Sequence, residues 1–245
     1  MRVIRCHIEA ALAPGLTLRL PEDKSMHLQR VLRSRVGDAV TLFNGDGHDY
    51  AARITGLEKK SVEVLIESAT ACDNQSPLAI TLLQGVARGD KMDLILQKAT
   101  ELGVHAVWPV MSERTEVKLD ADRAERRMAH WQGVIAAACE QSGRTRLPLL
   151  REPSPLHEAV THLPANSRKL ILDPHQGRAL KALDILPSTP IALVIGPEGG
   201  LGERDHRLLK QHGFEGVQLG PRVLRTETAG LAVLAALQAL YGDWA

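Results

Sequence analysis

The feature that most limits the fold is a change of rhythm near residue 77. Before it, short runs alternate apolar and polar positions: "LTLRL" at 16–20, "AVTLFN" at 39–44, "DYAARIT" at 49–55 and "SVEVLIES" at 61–68. Turn signals such as Asn44-Gly45-Asp46-Gly47 separate them, so this part reads as a small β-barrel with one helical patch at 23–35. In that patch Met26, Arg30 and Arg33 have helical spacing, with Val31 and Leu32 expected to face inward. After the polar break at 70–77 the apolar runs no longer alternate. Strands are expected at 78–86, 104–110, 169–173, 191–195 and 216–219, and helices near 90–102, 120–142, 178–185, 203–212 and 227–241. Non-alternating strands separated by helices indicate a parallel sheet covered on both faces.

The chain is therefore expected to be α/β, with a barrel over 1–72 and a larger domain over 73–245. At 245 residues it is long enough to bury a core in each. Charge excludes a simple electrostatic role: 30 Lys and Arg face 29 Asp and Glu, so any contact with nucleic acid has to rest on local patches. Three scattered cysteines, Cys6, Cys72 and Cys139, match neither a disulfide framework nor a metal motif, and Cys139 reads as a packing residue. No HExxH or similar histidine pair points to metal. The N-terminus lacks a signal-peptide pattern, and the apolar stretch 229–241, interrupted by Gln238, is too short to span a bilayer. The expectation is a soluble, cytoplasmic protein with no membrane partner.

Two segments have the form of strand, glycine turn and helix start. "PIALVIGPEGGLGERD" (190–205) is neither a dinucleotide fingerprint nor a phosphate loop, so NAD and ATP are not implied. Gly196, Gly199 and Gly200 suit either a structural turn or a loop that lets a ligand approach the backbone. "LGPRVLRTETAG" (219–230) repeats the form, with Thr226 as expected N-cap and Glu227 suited to the helix dipole. Arg222 and Arg225 oppose that dipole unless an anionic or carbonyl-rich ligand lies there. Upstream, Asp90 opens a helix with Met92, Ile95, Leu96, Ala99 and Leu102 inward, closed by Gly103. Its Lys91 and Lys98 fit a solvated face or a phosphate backbone, and Arg114, Arg144 and Arg146 lie in loops that suit solvent first.

Together "LVIGPEGGL" and "LGPRVLRTETA" resemble two signature motifs of the SPOUT class of S-adenosylmethionine-dependent RNA methyltransferases, and more narrowly the RsmE family. The likeness extends through "RGDKMDLILQKATELGV", "SERTEVKL", "AACEQSGR" and "HLQRVLRSRVGD", and is weakest over 150–190 apart from "LILDP". The resemblance implies a PUA-like RNA-binding barrel, a methyltransferase domain with a C-terminal trefoil knot, a homodimer, and methylation of uridine N3 in small-subunit ribosomal RNA. It implies a cofactor pocket from Leu172 and Asp173, from Gly196, Pro197, Glu198, Gly199, Gly200 and Leu201, and from Leu219, Gly220, Val223, Leu224 and Thr226. Arg225 would neutralise charge on uracil or fix the nucleotide, and Glu198 and Glu227 are candidate bases. RNA would meet Arg2, Arg5, Arg30, Arg33 and Arg35, joined by Lys91, Arg114 and Arg144. The alternatives are a SPOUT enzyme acting at another RNA position and a non-catalytic ribosome-assembly protein.

Overall fold

The computed structural model describes residues 4–117, 121–173, 177–186 and 188–244. The chain divides into two compact units, Met1–Gln75 with Ala136–Leu147, and Ser76–Ile135 with Pro148–Ala245. The division differs from a single cut after residue 72, because a later segment returns to the first unit. Glu140 accepts the His7 backbone N–H (2.9 Å) and pairs with Lys24 (2.5 Å). The Thr145 hydroxyl donates to the Cys72 carbonyl (2.8 Å).

The first unit is a five-stranded sheet built from β1 (Arg5–His7), β2 (Thr17–Arg19), β3 (Ala39–Phe43), β4 (His48–Glu58) and β5 (Ser61–Ala71). Its order is β1-β3-β4-β5-β2, with β1 parallel to β3 and the other pairs antiparallel. Register shifts in the β4–β5 pair bend the sheet. Among the described residues no ladder joins β1 to β2, so the expected barrel is an open, curled sheet. Inward residues of alternating strands, including Val40, Leu42, Ile54, Val62, Val64 and Ile66, form one core with Leu28.

The helical patch departs from expectation. Helix α1 (Glu22–Met26) widens over His27–Val31, where the Leu32 N–H bonds back five residues to His27. The wider turn brings Ser25 and Leu28 inward and leaves Val31 66% exposed and Leu32 on the surface. Arg33 lies beyond the helix with a left-handed backbone (φ 54°), so Arg30 and Arg33 do not share a helix face.

The second unit contains β6 (Ile80–Gly85), α2 (Lys91–Glu101), β7 (Ala106–Met111), the part of α3 (Ala121–Ser142) up to Ile135, the short β8 (Leu149–Leu150) and β9 (Ser154–Pro155), and α4 (Leu156–Ala159). It continues with β10 (Arg168–Leu172), β11 (Arg178–Ala179), β12 (Ile191–Ile195), α5 (Glu203–Gln211), β13 (Glu215–Gln218) and α6 (Thr226–Tyr241). All pairings in its eight-stranded sheet are parallel, in the order β11-β13-β10-β12-β6-β7-β8, with β9 also on β7. Residues 178–185, expected to be helical, instead give β11 and one tight turn at Leu180–Ala182, which bury Leu180, Leu183 and Ile185.

Both sheet faces are covered, which explains the absence of alternation. Leu83, Trp108, Val110, Ile171 and Val194 pack on one side with Leu156, Ala159 and Leu209 of α4 and α5. On the other lies α6, where Gly230 approaches Leu82, Gln84 and Ile195. The buried Gln238 that interrupts the apolar tail accepts from Ser76 (2.8 Å) and donates to the Leu102 carbonyl (3.0 Å), satisfying an open end of α2. Gly103 follows with φ +80°, the left-handed closure expected there. Among the described residues no helix is long and apolar enough to cross a membrane, and no group of three or more His, Cys, Asp and Glu could hold a metal ion.

Candidate functional site

The parallel strands β10, β12 and β13 run side by side and end together, so their following loops converge beyond the carboxyl edge of the sheet. A cavity of about 480 Å³ opens there, within the usual range for small-molecule sites. Leu172 and Asp173 line it from the first loop, Gly196, Pro197, Glu198, Gly200 and Leu201 from the second, and Leu219, Gly220, Val223, Leu224 and Arg225 from the third. Thr226 and Glu227 complete that wall from the start of α6. Gly199 does not line the cavity; its backbone turns toward Arg114, whose guanidinium donates to the Gly199 carbonyl (3.2 Å).

Two glycines are required by close approach. A Cβ on Gly196 would meet the Gly200 carbonyl carbon at 2.9 Å and Leu201 N at 3.0 Å. At the end of β6, a Cβ on Gly85 would meet Pro197 N at 2.5 Å and the Gly196 carbonyl carbon at 2.8 Å. The second loop is therefore pressed against β6, and Gly200 N–H closes its turn on the Pro197 carbonyl (2.8 Å).

Thr226 holds the second and third loops together. It is the first residue of α6 and not the N-cap, a place taken by Arg225. Its hydroxyl donates to the Gly196 carbonyl (2.6 Å) and accepts from the Gln84 amide (2.9 Å). Gln84, fully buried in β6, also donates to the Gly85 carbonyl (3.0 Å). The expected cap is thus a buried tie between loops. Gln84 was not legible as a site residue; its only signal is a lone amide inside the apolar run "AITLLQGVA".

A second tie starts in the loop after β7. Gly202 at the start of α5 has no side chain with which to cap the helix, and Glu113 supplies the carboxylate, accepting the Arg204 N–H (3.0 Å). Asp205 in turn accepts the N–H groups of Gly202 (2.9 Å) and Glu113 (3.1 Å). A Cβ on Gly202 would collide with Glu113, so the empty position is what admits the foreign cap.

Lys91, Glu198 and Glu227 form a charged cluster at the wall. Glu198 accepts the Arg88 N–H (3.0 Å) and the Lys91 ammonium (3.1 Å) through Oε1. Burial works to raise the Glu198 pKa, but those hydrogen bonds and the Lys91 charge prevail and hold it below the ordinary value. An anion stabilised in this way is a weak proton acceptor. Lys91 lies 3.8 Å from Glu227, whose Oε2 is buried without a hydrogen-bond partner. Ile195, His206, Arg222 and Ala229 also line the cavity; His206 reaches it one turn into α5, which the polar string "ERDHRLLKQ" did not signal.

The structure separates the expected RNA contacts. Arg30, Arg33 and Arg35 are exposed, as is Arg114. Arg5 is not available: it pairs with Asp49 (2.6 Å) and stacks over Phe43. Arg144 is 6% exposed and donates to Gln75 (2.7 Å), so it is structural and not a loop contact. Lys91 faces the cavity and Lys98 pairs with Glu101 (2.8 Å). Arg2 lies outside the described residues. Cys139 is buried, and burial pushes its thiol up to about 11, which removes it as a nucleophile.

A parallel α/β sheet with a cavity beyond its carboxyl edges defines a small-molecule-binding α/β protein, and comparison with known sequences narrows this. The RNA methyltransferase domain model matches residues 74–238, and the RNA methyltransferase PUA domain model matches 20–67. A curated relative, Ribosomal RNA small subunit methyltransferase E of Buchnera aphidicola (Schizaphis graminum), is 29% identical over 244 residues, 99% of this chain and 98% of the relative. The crystal structure of a Ribosomal RNA small subunit methyltransferase E from Neisseria gonorrhoeae bound to S-adenosyl methionine is 43% identical. It matches 100% of both chains with TM-score 0.95. A Legionella pneumophila protein solved with the bound cofactor SAM is 40% identical over 99% of this chain and 100% of its own, also at TM-score 0.95. The chain belongs to the ribosomal RNA small subunit methyltransferase E family.

Proposed function

We propose that the protein transfers a methyl group from S-adenosylmethionine to N3 of one uridine in small-subunit ribosomal RNA. The observation that carries this is the cavity built by the loops after β10, β12 and β13, in a chain 43% identical throughout to a relative solved with that cofactor. The residues fit the group. Backbone of the glycine loops is open to a planar base and a ribose, apolar Leu172, Leu201, Leu219 and Leu224 offer walls, and the buried Glu227 Oε2, which has Lys91 at 3.8 Å but no hydrogen-bond donor, suits a cationic ligand. The two family models cover an RNA-enzyme domain and its accessory PUA domain, which favours this over a non-catalytic assembly factor.

In the reaction, N3 of uracil forms a bond to the methyl carbon as the carbon–sulfur bond breaks toward sulfur. The N3 proton leaves before or during that step, and the products are the neutral thioether, N3-methyluridine and a proton. The charge that develops spreads over the uracil oxygens, so the protein's tasks are positioning and charge stabilisation. Arg225, exposed at the cavity wall and forming no ion pair among the described residues, is the group that meets this charge. Of the two candidate bases Glu198 is the less suited, since it is already held by Arg88 and Lys91. Arg225→Ala is expected to keep cofactor affinity within about threefold while transfer falls by about 10²–10³, the scale for one lost charge-stabilising donor. Full transfer by this variant overturns the assignment.

RNA docks on the exposed cations of the first unit, where Arg30, Arg33 and Arg35 stand beside the exposed Val31, Leu32 and Val36. A knot belongs to the same reading, which is supported by the return of the chain after β13, a strand between β11 and β10, to pack α6 on α2 and β12. Two copies pair through α6, whose outer face leaves Ala239 and Leu240 exposed next to Trp244. The protein works in the cytoplasm, where its RNA is made.

A further inference from the structure

We propose that Glu227 and Lys91 read the charge of the ligand, so that the cavity holds a sulfonium-bearing cofactor in preference to the neutral thioether left after transfer. The inference rests on the reading of the cavity as an S-adenosylmethionine site. It starts from an imbalance: two carboxylates, Glu198 and Glu227, share one ammonium, Lys91. Glu198 is fully engaged, with the Arg88 N–H at 3.0 Å and Lys91 at 3.1 Å. Glu227 is not. Its side chain is 16% exposed, Lys91 stands at 3.8 Å, beyond a hydrogen bond, and among the described residues no donor reaches Oε2.

The start of α6 does not account for this oxygen. A helix N-terminus favours a nearby anion, but the first-turn N–H groups of Thr228 and Ala229 bond to the Arg225 carbonyl instead of Glu227. Arg222 and Arg225 line the same wall, yet neither forms an ion pair with Glu227. A buried carboxylate oxygen without a donor is costly to keep, and a cationic ligand entering the cavity removes that cost. The thioether offers no charge, so the contact disappears when the methyl group leaves. Glu227 thus favours the ligand before transfer and release after it, while Lys91 opposes it and sets how strong the preference is.

The test is calorimetric binding of three ligands to the full chain: S-adenosylmethionine, sinefungin, which carries an amine in place of the sulfonium, and the neutral S-adenosylhomocysteine. The readout is the ratio of the neutral ligand's Kd to each cation's Kd. Glu227→Gln is expected to lower that ratio about tenfold, about 1.4 kcal/mol, with the neutral ligand's own Kd nearly unchanged. Lys91→Met is expected to raise the ratio, and Glu227→Asp to restore part of the preference. If Glu227→Gln weakens all three ligands equally, or the ratio moves in the same direction in both variants, the inference is wrong. If the wild type binds none of the three, the cofactor reading itself fails; if it binds all three and the ratios do not respond, only the charge reading fails.

Discussion

Replacing Thr226 by valine removes one hydroxyl and keeps the shape, at a residue only 6% exposed. Two hydrogen bonds go with it: the 2.6 Å bond to the Gly196 carbonyl and the 2.9 Å bond from Gln84. Each buried group left without its partner costs about 1–3 kcal/mol. The Gln84 amide keeps its bond to Gly85, so the sum falls toward the lower end, about 2–4 kcal/mol. In a unit of this size that lowers the melting temperature by about 5–10 °C. Because the lost bonds tie the second cavity loop to the third, cofactor affinity should fall by about tenfold or more, while Thr226→Ser stays close to wild type in both measurements. Thermal melting with and without S-adenosylmethionine, together with calorimetric titration, reads both effects. Were Thr226 only a helix cap, its loss would cost about 1 kcal/mol and leave affinity alone. Wild-type affinity in Thr226→Val would therefore refute the tie.

Two further outcomes are expected. The Glu198 carboxyl titrates below its ordinary value of 4.5 in the folded chain, so its stabilisation is present above that pH and lost as pH falls through the folded value. Melting curves between pH 3 and 7, on the order of one-unit steps, should show an acid decline that Glu198→Gln flattens; an identical decline in the variant would exclude this contribution. Reversing Arg30 and Arg35 to glutamate should weaken RNA binding and reduce its salt dependence by about two phosphate contacts, and an unchanged salt slope would remove this surface from the RNA site.

The parallel sheet was legible because both of its faces are covered, which leaves β7 and β12 wholly apolar and gives β6 and β10 unbroken apolar runs; β6, β7, β10, β12 and β13 all fall close to their expected ranges. The helix α2 and its glycine closure were legible for the same reason, a regular apolar stripe with a stop signal. Misreadings arise where a residue's partner is distant in sequence. Arg5 and Arg144 look like cations free to meet RNA until Asp49 and Gln75 are brought against them. Val31 and Leu32 have inward spacing on a regular helix, and one widened turn sends them outward. Residues 178–185 have helix-forming composition, but pairing with β13 makes their start a strand.

The site divides similarly. The glycine loops were recognisable because close approach demands glycine, and the structure shows that demand at Gly196 and Gly202, with Gly85 of β6 facing the same loop. Thr226 was assigned a local role, capping, whereas its bonds run to Gly196 and Gln84, 30 and 142 residues away. Nothing in a one-dimensional pattern marks such a tie. The capping of α5 by Glu113 escaped for the same reason, its partner Arg204 being 91 residues distant.

The most direct test is chemical. The purified protein is incubated with methyl-labelled S-adenosylmethionine and small ribosomal subunits from a strain that lacks the activity, and the RNA is digested and its labelled nucleoside identified by mass spectrometry. Label confined to N3-methyluridine, and at one position, is the expected result. Label in a ribose 2′-O-methyl group or in any other base, or no transfer by protein that binds the cofactor, would contradict it.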